Sequence, residues 1–193
     1  MEGLLEVRWH GRGGQGAKTA ALLLAESASD AGKFIQAFPE YGPERMGAPV
    51  QAFTRISDEP ITMHCHVTNP KIVVVLEPNL IGGPVDVTAG VPEDGVYVIN
   101  TDATPQEMRA KLGIKTGKVF TVDAIKIAME TIGRPIPNTP MLGALIKVTG
   151  ILEIESLLED TKKRLSKKFA GRPEIVEGNL NAIRKAYQEV KGE

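Results

Sequence analysis

Cysteine is almost absent from this sequence: Cys65 stands alone among 193 residues. An internal disulfide is therefore excluded, and so is an iron–sulfur cluster ligated by this chain alone, which would need about four thiolates. Excess charge is missing as well. The formal net charge is -1, without the strongly basic footprint of a nucleic-acid-binding module. No apolar run approaches the ~20 residues that span a bilayer. The first residues read as a strand and not as a basic-then-apolar leader, so the expected compartment is the cytoplasm. Several catalytic signatures are also lacking. Ala17 separates Gly16 from Lys18 and Thr19, which shifts the lysine out of P-loop register. A Gly-x-Ser-x-Gly elbow, the mark of the common α/β hydrolases, does not occur.

What is present is ordinary in amount and ordered in pattern. Hydrophobic residues make up 42% and charged residues 24% of a length suited to one domain, residues 1–193. Leu4 to His10 alternates like a strand, Gly11, Arg12, Gly13, Gly14, Gln15 and Gly16 form a glycine-rich turn, and Ala17 to Ala31 reads as a helix. Such a junction exposes N–H groups at the positive end of a helix, suited to a phosphate, a carboxylate or a close partner backbone. The Gly11-x-Gly13-x-x-Gly16 spacing also fits a dinucleotide fingerprint, and Glu40 lies near the distance expected of its ribose acid. The same glycines equally suit a tight turn and close helix–sheet packing.

Lys33 to Pro39 is a second strand, followed by a loop through Tyr41, Gly42, Glu44, Arg45 and Met46 to Pro49. So much functional-group content in a loop points to function, or to an internal Glu–Arg pair that fixes the loop. Val50 to Ile56 and Ile61 to Val67 read as a hairpin. Strand alternation would place Cys65 in the core and His64 and His66 on the opposite face, so the three could not converge on one metal. Ile72 to Leu76 is a strand covered on both faces, with Glu77 at its carboxyl edge. Val96 to Asn100 and Lys118 to Val122 are further strands. Thr104, Pro105 and Glu107 have the residues of a capping box, and Asp123 is placed to cap the next helix.

Asn138 to Gly150 is apolar on nearly every side, with Thr139 as cap and Pro140 at its first position, and should be buried in the domain or against another subunit. Glu153 to Phe169 and Pro173 to Val190 are amphipathic helices. Residues 162–172 between them are locally basic, a solvated face or a docking patch for an acidic partner. Alternating strands and helices indicate a three-layer α/β/α domain with a mainly parallel sheet and one antiparallel β-hairpin.

Three segments taken together, Trp9 to Gly16, Tyr41 to Pro49 and Asn138 to Ala144, resemble the gamma subunits of the 2-oxoacid:ferredoxin oxidoreductases. The pyruvate enzyme, or pyruvate synthase, is the nearest fit, and gamma chains of the 2-oxoisovalerate enzyme are similar. The resemblance spans nearly the whole chain. It implies a subunit of an enzyme that converts pyruvate and coenzyme A to acetyl-CoA and carbon dioxide and passes electrons to ferredoxin. It also implies that thiamine diphosphate, Mg and iron–sulfur clusters reside on alpha, beta and delta subunits, with no cofactor and no catalytic residue on this chain. The site residues it implies are Gly11 to Gly16, Tyr41, Gly42, Glu44, Arg45, Met46 and Asn138. They would form an edge facing the partner subunits, where Arg12, Gln15, Glu44 and Arg45 position a neighbouring loop or an anionic part of coenzyme A.

Overall fold

Trp9 sits fully buried in the middle of strand β1 (Leu5–Arg12) and fixes the layer that everything else covers. Its indole Nε1 donates to Thr54 Oγ1 (3.1 Å), and that hydroxyl donates to the Ala21 carbonyl (3.0 Å) on helix α1 (Ala17–Asp30). The buried polar atoms of strand, neighbouring strand and helix thus satisfy one another. The computed structural model describes residues 3–40 and 47–193; Tyr41, Gly42, Glu44, Arg45 and Met46 lie outside the described residues.

The remaining strands are β2 (Phe34–Pro39), β3 (Pro49–Ser57), β4 (Ile72–Val75), β5 (Val96–Asn100), β6 (Lys118–Val122) and β7 (Lys191–Gly192). They join β1 in one seven-stranded sheet of order β2-β3-β1-β4-β5-β6-β7. β1, β4, β5 and β6 pair in parallel, and β3 runs against both β1 and β2. β2 therefore shares the direction of the parallel strands, and only β3 and β7 are reversed. The expected mainly parallel α/β sheet is present.

The faces differ in chemistry. Val7 and Trp9 of β1 join Ile72, Val74 and Val98 in a core with α1 and with α3 (Ala124–Thr131), α4 (Asn138–Thr149), α5 (Ile154–Lys168) and α6 (Pro173–Glu189). α4 is buried against α6, as its apolar composition requires, so its burial is met inside this chain. A Cβ on Gly143 would lie 2.1 Å from the Ile183 carbonyl oxygen, which is why α4 and α6 can approach so closely only through glycine. On the other face, α2 (Pro105–Leu112) and the stretch around Leu80, Ile81 and Val87 cover Val73, Val75 and Tyr97.

Local signals for helix starts hold at two sites. Thr104 and Glu107 make the reciprocal capping box, and Asp123 accepts from the Lys126 N–H. The third differs: α4 begins at Asn138, with Pro137 and not Thr139 as its cap residue. Asn138 Oδ1 instead accepts from the Thr139 N–H (2.8 Å), while the Thr139 hydroxyl donates to Asn179 Oδ1 (2.8 Å).

The hairpin also differs. β3 pairs with β2 and not with residues 61–67, which form no strand. Two side chains take up the carbonyls of that segment. Gln36 Nε2 donates to the carbonyls of Ile61 (3.4 Å) and Met63 (2.9 Å), and Arg55 Nη2 donates to that of His66 (3.3 Å). The segment is tied across the β2–β3 face by side chains, so its alternating residues have no ladder to obey. Cys65 is accordingly exposed and not a core residue, and His64 and His66 are exposed beside it. Alternation does not separate these three residues, yet among the described residues no group of three or more His, Cys, Asp or Glu is placed to hold a metal ion.

Candidate functional site

The glycine turn opens onto a cavity of about 840 Å³. Its wall combines Arg12, Gly13 and Gly14 with the start of α1, the ends of β2 and β3 at Glu40 and Pro49, and Leu80 and Val85 from the opposite loop. β1 delivers Gly11 to the sheet edge, still paired with Val50, before the chain turns. Gly14 and Gly16 then take positive φ values of 99° and 82°, a backbone that only glycine adopts freely.

Much of the turn is satisfied from within. Gln15 Oε1 accepts from the Arg12 N–H (2.8 Å), and Gln15 Nε2 donates to Glu77 Oε2 (2.8 Å) at the end of β4. The Gly13 N–H donates to the Ala48 carbonyl (2.9 Å), and the Arg12 guanidinium donates to the Gly47 carbonyl (3.0 Å). Gln15 is thus a lock inside the turn, Arg12 ties the turn to Gly47 just before β3, and Asn138 packs directly on Gly16. A Cβ on Gly16 would meet Asn138 Nδ2 at 2.6 Å. Gly16 is demanded by that contact as well as by its φ.

This arrangement departs from a dinucleotide site in two respects. Glu40 does line the cavity, but its strand stands beyond antiparallel β3, whereas the ribose acid of such folds follows the parallel neighbour of β1. In addition, the Gln15 carboxamide occupies an amide that a pyrophosphate would use.

One residue outside the glycine motif, His10, also lines the cavity, and Arg8 holds it in place. Arg8 and His10 follow Glu6 on the same face of β1, and all three polar residues face away from Trp9. Arg8 is buried and donates to the carbonyls of Val87 (3.0 Å) and Ala89 (2.8 Å), and to His10 Nε2 (2.9 Å). The His10 ring lines the cavity and is only 1% exposed. Burial, and then the Arg8 charge, push its pKa down to about 3, with Asp86 opposing. In the sequence the only sign of this pair is the alternation of three polar residues, Glu6, Arg8 and His10, through a central strand.

A separate polar cluster lies behind β2 and β3. Arg55 is fully buried and pairs with Glu6 (2.8 Å) and Gln36 (3.1 Å), and its guanidinium sits 5.6 Å from the Phe38 ring centroid. It also donates to Cys65 Sγ at 3.8 Å.

The family model for pyruvate ferredoxin/flavodoxin oxidoreductase matches residues 6–189. The chain belongs to this oxidoreductase family. Among its members, "Pyruvate synthase subunit PorC" of Thermotoga maritima is 48% identical over 186 residues, covering 96% of this chain and 94% of that protein. The "Pyruvate/ketoisovalerate oxidoreductases common subunit gamma" of Pyrococcus abyssi is 48% identical over 191 residues, 97% of this chain and 98% of that one. The crystal structure of the Thermotoga maritima pyruvate oxidoreductase subunit superposes with a TM-score of 0.87 at 46% identity, covering 100% of this chain and 99% of the other. Among the described residues, no helix of this oxidoreductase subunit is long and apolar enough to cross a membrane.

Proposed function

We propose that this chain is the gamma subunit of a pyruvate:ferredoxin oxidoreductase. The complete enzyme would convert pyruvate and coenzyme A to acetyl-CoA and carbon dioxide and hand two electrons to ferredoxin. The carrying observation is the end-to-end likeness to pyruvate synthase subunits, at 46–48% identity in both sequence and solved structure.

The donor set of this chain does not fit the cofactors of that chemistry. Its single cysteine is exposed, and among the described residues no cluster of acidic or imidazole groups could hold a magnesium or iron ion. On this reading thiamine diphosphate, Mg and the iron–sulfur clusters would reside on alpha, beta and delta subunits, and the gamma chain would contribute shape and contacts. The glycine edge from Gly11 to Gly16, with Asn138 beside it, would face those subunits in the cytoplasm, and Tyr41, Gly42, Glu44, Arg45 and Met46 are proposed as further contact residues. Arg12 is the residue of that edge best suited to a partner loop or an anionic part of coenzyme A, because it sits at the cavity wall.

A second 2-oxoacid is favoured by one observation: the Pyrococcus relative is named as common to pyruvate and ketoisovalerate enzymes. A gamma chain shared in that way would leave the choice of 2-oxoacid to other subunits. Co-purification from the native source tests the proposal. The chain is expected in a brown complex with larger subunits, whose pyruvate- and coenzyme A-dependent reduction of ferredoxin requires thiamine diphosphate. Recovery as a free protein, with that activity intact in fractions lacking it, would overturn the assignment.

A further inference from the structure

The two edges of the sheet are finished differently. At one end β7 lies along β6, and Arg109 Nε donates to both carboxylate oxygens of Glu193 (2.8 and 2.9 Å), fastening the chain just past that short strand to α2. At the other end stands β2, six residues long, with no strand on its outer side among the described residues. From Phe34 to Phe38 it carries no charge, and its register with β3 has no bulge. An unguarded apolar edge of this kind is a template for a further strand.

The phase of the ladder says which groups are free. The Glu40 N–H donates to the Gln51 carbonyl (3.0 Å), so the pair that follows Pro39 and Ala52 is a hydrogen-bonded one. Alternate residues of an antiparallel strand bond to opposite sides. Gln36 and Phe38 therefore bond toward β3, and the N–H and C=O groups of Ile35 and Ala37 point outward. Beyond them the edge stops itself. Pro39 has no N–H, and the Lys33 N–H already donates to the Ala28 carbonyl (3.0 Å).

The outer strip is complementary to itself. The order Phe34, Ile35, Gln36, Ala37, Phe38 is nearly palindromic. A copy run antiparallel about Gln36 sets Ile35 of each chain against Ala37 of the other, which joins all four outward N–H groups to carbonyls. It also sets Phe34 opposite Phe38 of the other copy, on the face turned away from α1. Phe34 is 45% exposed, whereas Phe38 lines a groove of about 720 Å³ together with Arg55, Cys65 and His66. Each copy thus offers one exposed ring and one groove to receive it. No like charges are opposed along residues 33–40: Lys33, bonded to Asp58 in its own copy, faces Pro39 of the other beside its Glu40. Parallel copies would bring lysine to lysine and glutamate to glutamate.

We propose that β2 pairs with β2 of a second copy of this chain, antiparallel about Gln36, so that two seven-stranded sheets become one continuous sheet. The interface is isologous and closes on its own two-fold axis. It is independent of the subunit assignment, because the test uses the full chain alone.

That test is sedimentation equilibrium from about 1 to about 100 µM, joined to amide hydrogen exchange over the same range. The expected mass rises toward twice 20.8 kDa. The Ile35 and Ala37 amides should become protected as it does, while the Phe38 amide, bonded within the chain, is protected throughout. Ala37→Pro removes an outward donor and no bond to β3, and Phe34→Glu places a charge where the ring would be buried. The two-fold axis doubles each change, so each should raise the dimer dissociation constant about tenfold or more. A monomer at every concentration would overturn the proposal, even with the same amides protected in a complex with larger subunits, since another chain would then occupy the edge. A dimer whose Ile35 and Ala37 amides exchange as freely as in the monomer would also overturn it, as would a dimer undiminished in both folded variants. Should neither variant fold, the mass and exchange of the wild type decide alone.

Discussion

Gln15 Nε2 donates to Glu77 Oε2 at 2.8 Å, joining the glycine turn after β1 to the chain just past the end of β4. The other end of the same carboxamide accepts the Arg12 N–H. One side chain therefore holds both the internal shape of the turn and its position on the sheet. Gln15→Ala should lower stability by about 1–2 kcal/mol, the cost of two part-buried hydrogen bonds. In a domain of this size the melting temperature should fall by about 2–8 °C. A melting curve superimposable on the wild type would show that the lock carries no weight.

Gly16→Ala should be more damaging, because the methyl group meets Asn138 and the backbone keeps a positive φ. A loss of roughly 1–3 kcal/mol is expected from the backbone conformation alone. Adding Asn138→Gly removes the steric part and should restore some of the stability but not all. Additive losses in the double variant, measured by urea unfolding, would mean that the contact with Asn138 is not what excludes a side chain.

The depressed pKa of His10 has a definite sign in stability. Its folded value of about 3 lies below the ordinary 6.5, so the unfolded chain takes up a proton that the native chain refuses. Stability attributable to His10 is therefore full above pH 6.5 and declines as the pH falls from there toward 3. At pH 5 the deficit is about 2 kcal/mol. Unfolding free energies of wild type and His10→Gln across pH 5 to 8 should converge on the acid side, since the variant lacks this proton. Parallel curves would place His10 in a solvated setting.

Arg12→Ala leaves the glycines in place and removes a half-buried guanidinium. The chain should fold normally yet assemble poorly with its partner subunits, or lower the coenzyme A-dependent rate. A desolvated charged contact corresponds to roughly 2–5 kcal/mol. Full assembly with unchanged 2-oxoacid oxidation would remove Arg12 from the interface.

Cys65 is exposed, so a thiol reagent should modify one cysteine per native chain without denaturant. Modification appearing only on unfolding would return Cys65 to the interior.

The sequence carried the fold where the deciding contacts are local. Thr104 and Glu107 lie three residues apart and announce α2 by themselves, and the unbroken run at Ile72–Val75 announces a strand covered on both faces. It misled at residues 61–67, where Ile61, Met63, Cys65 and Val67 alternate as a strand would. The partner that β3 chose was β2, and Gln36 and Arg55 claimed the carbonyls of the competing segment. Alternation gives a segment two faces but not a neighbour. The glycine turn was legible as a site, whereas its depth was not. Arg8 reaches carbonyls 79 and 81 residues away, and that long-range contact holds it against His10. Asn138 appeared in the sequence as part of a motif, but its place against Gly16 depends on how α4 lies over α1.

The molecule also carries its own optical reporter. Trp9 is the chain's sole tryptophan, fully buried beside His10 and bonded through Thr54 to α1. Its ultraviolet emission arises from the junction of β1, β3 and α1, immediately before the glycine turn. A change in the packing of that junction, whether from a docked subunit or from unfolding, would appear as a shift in fluorescence with no label attached.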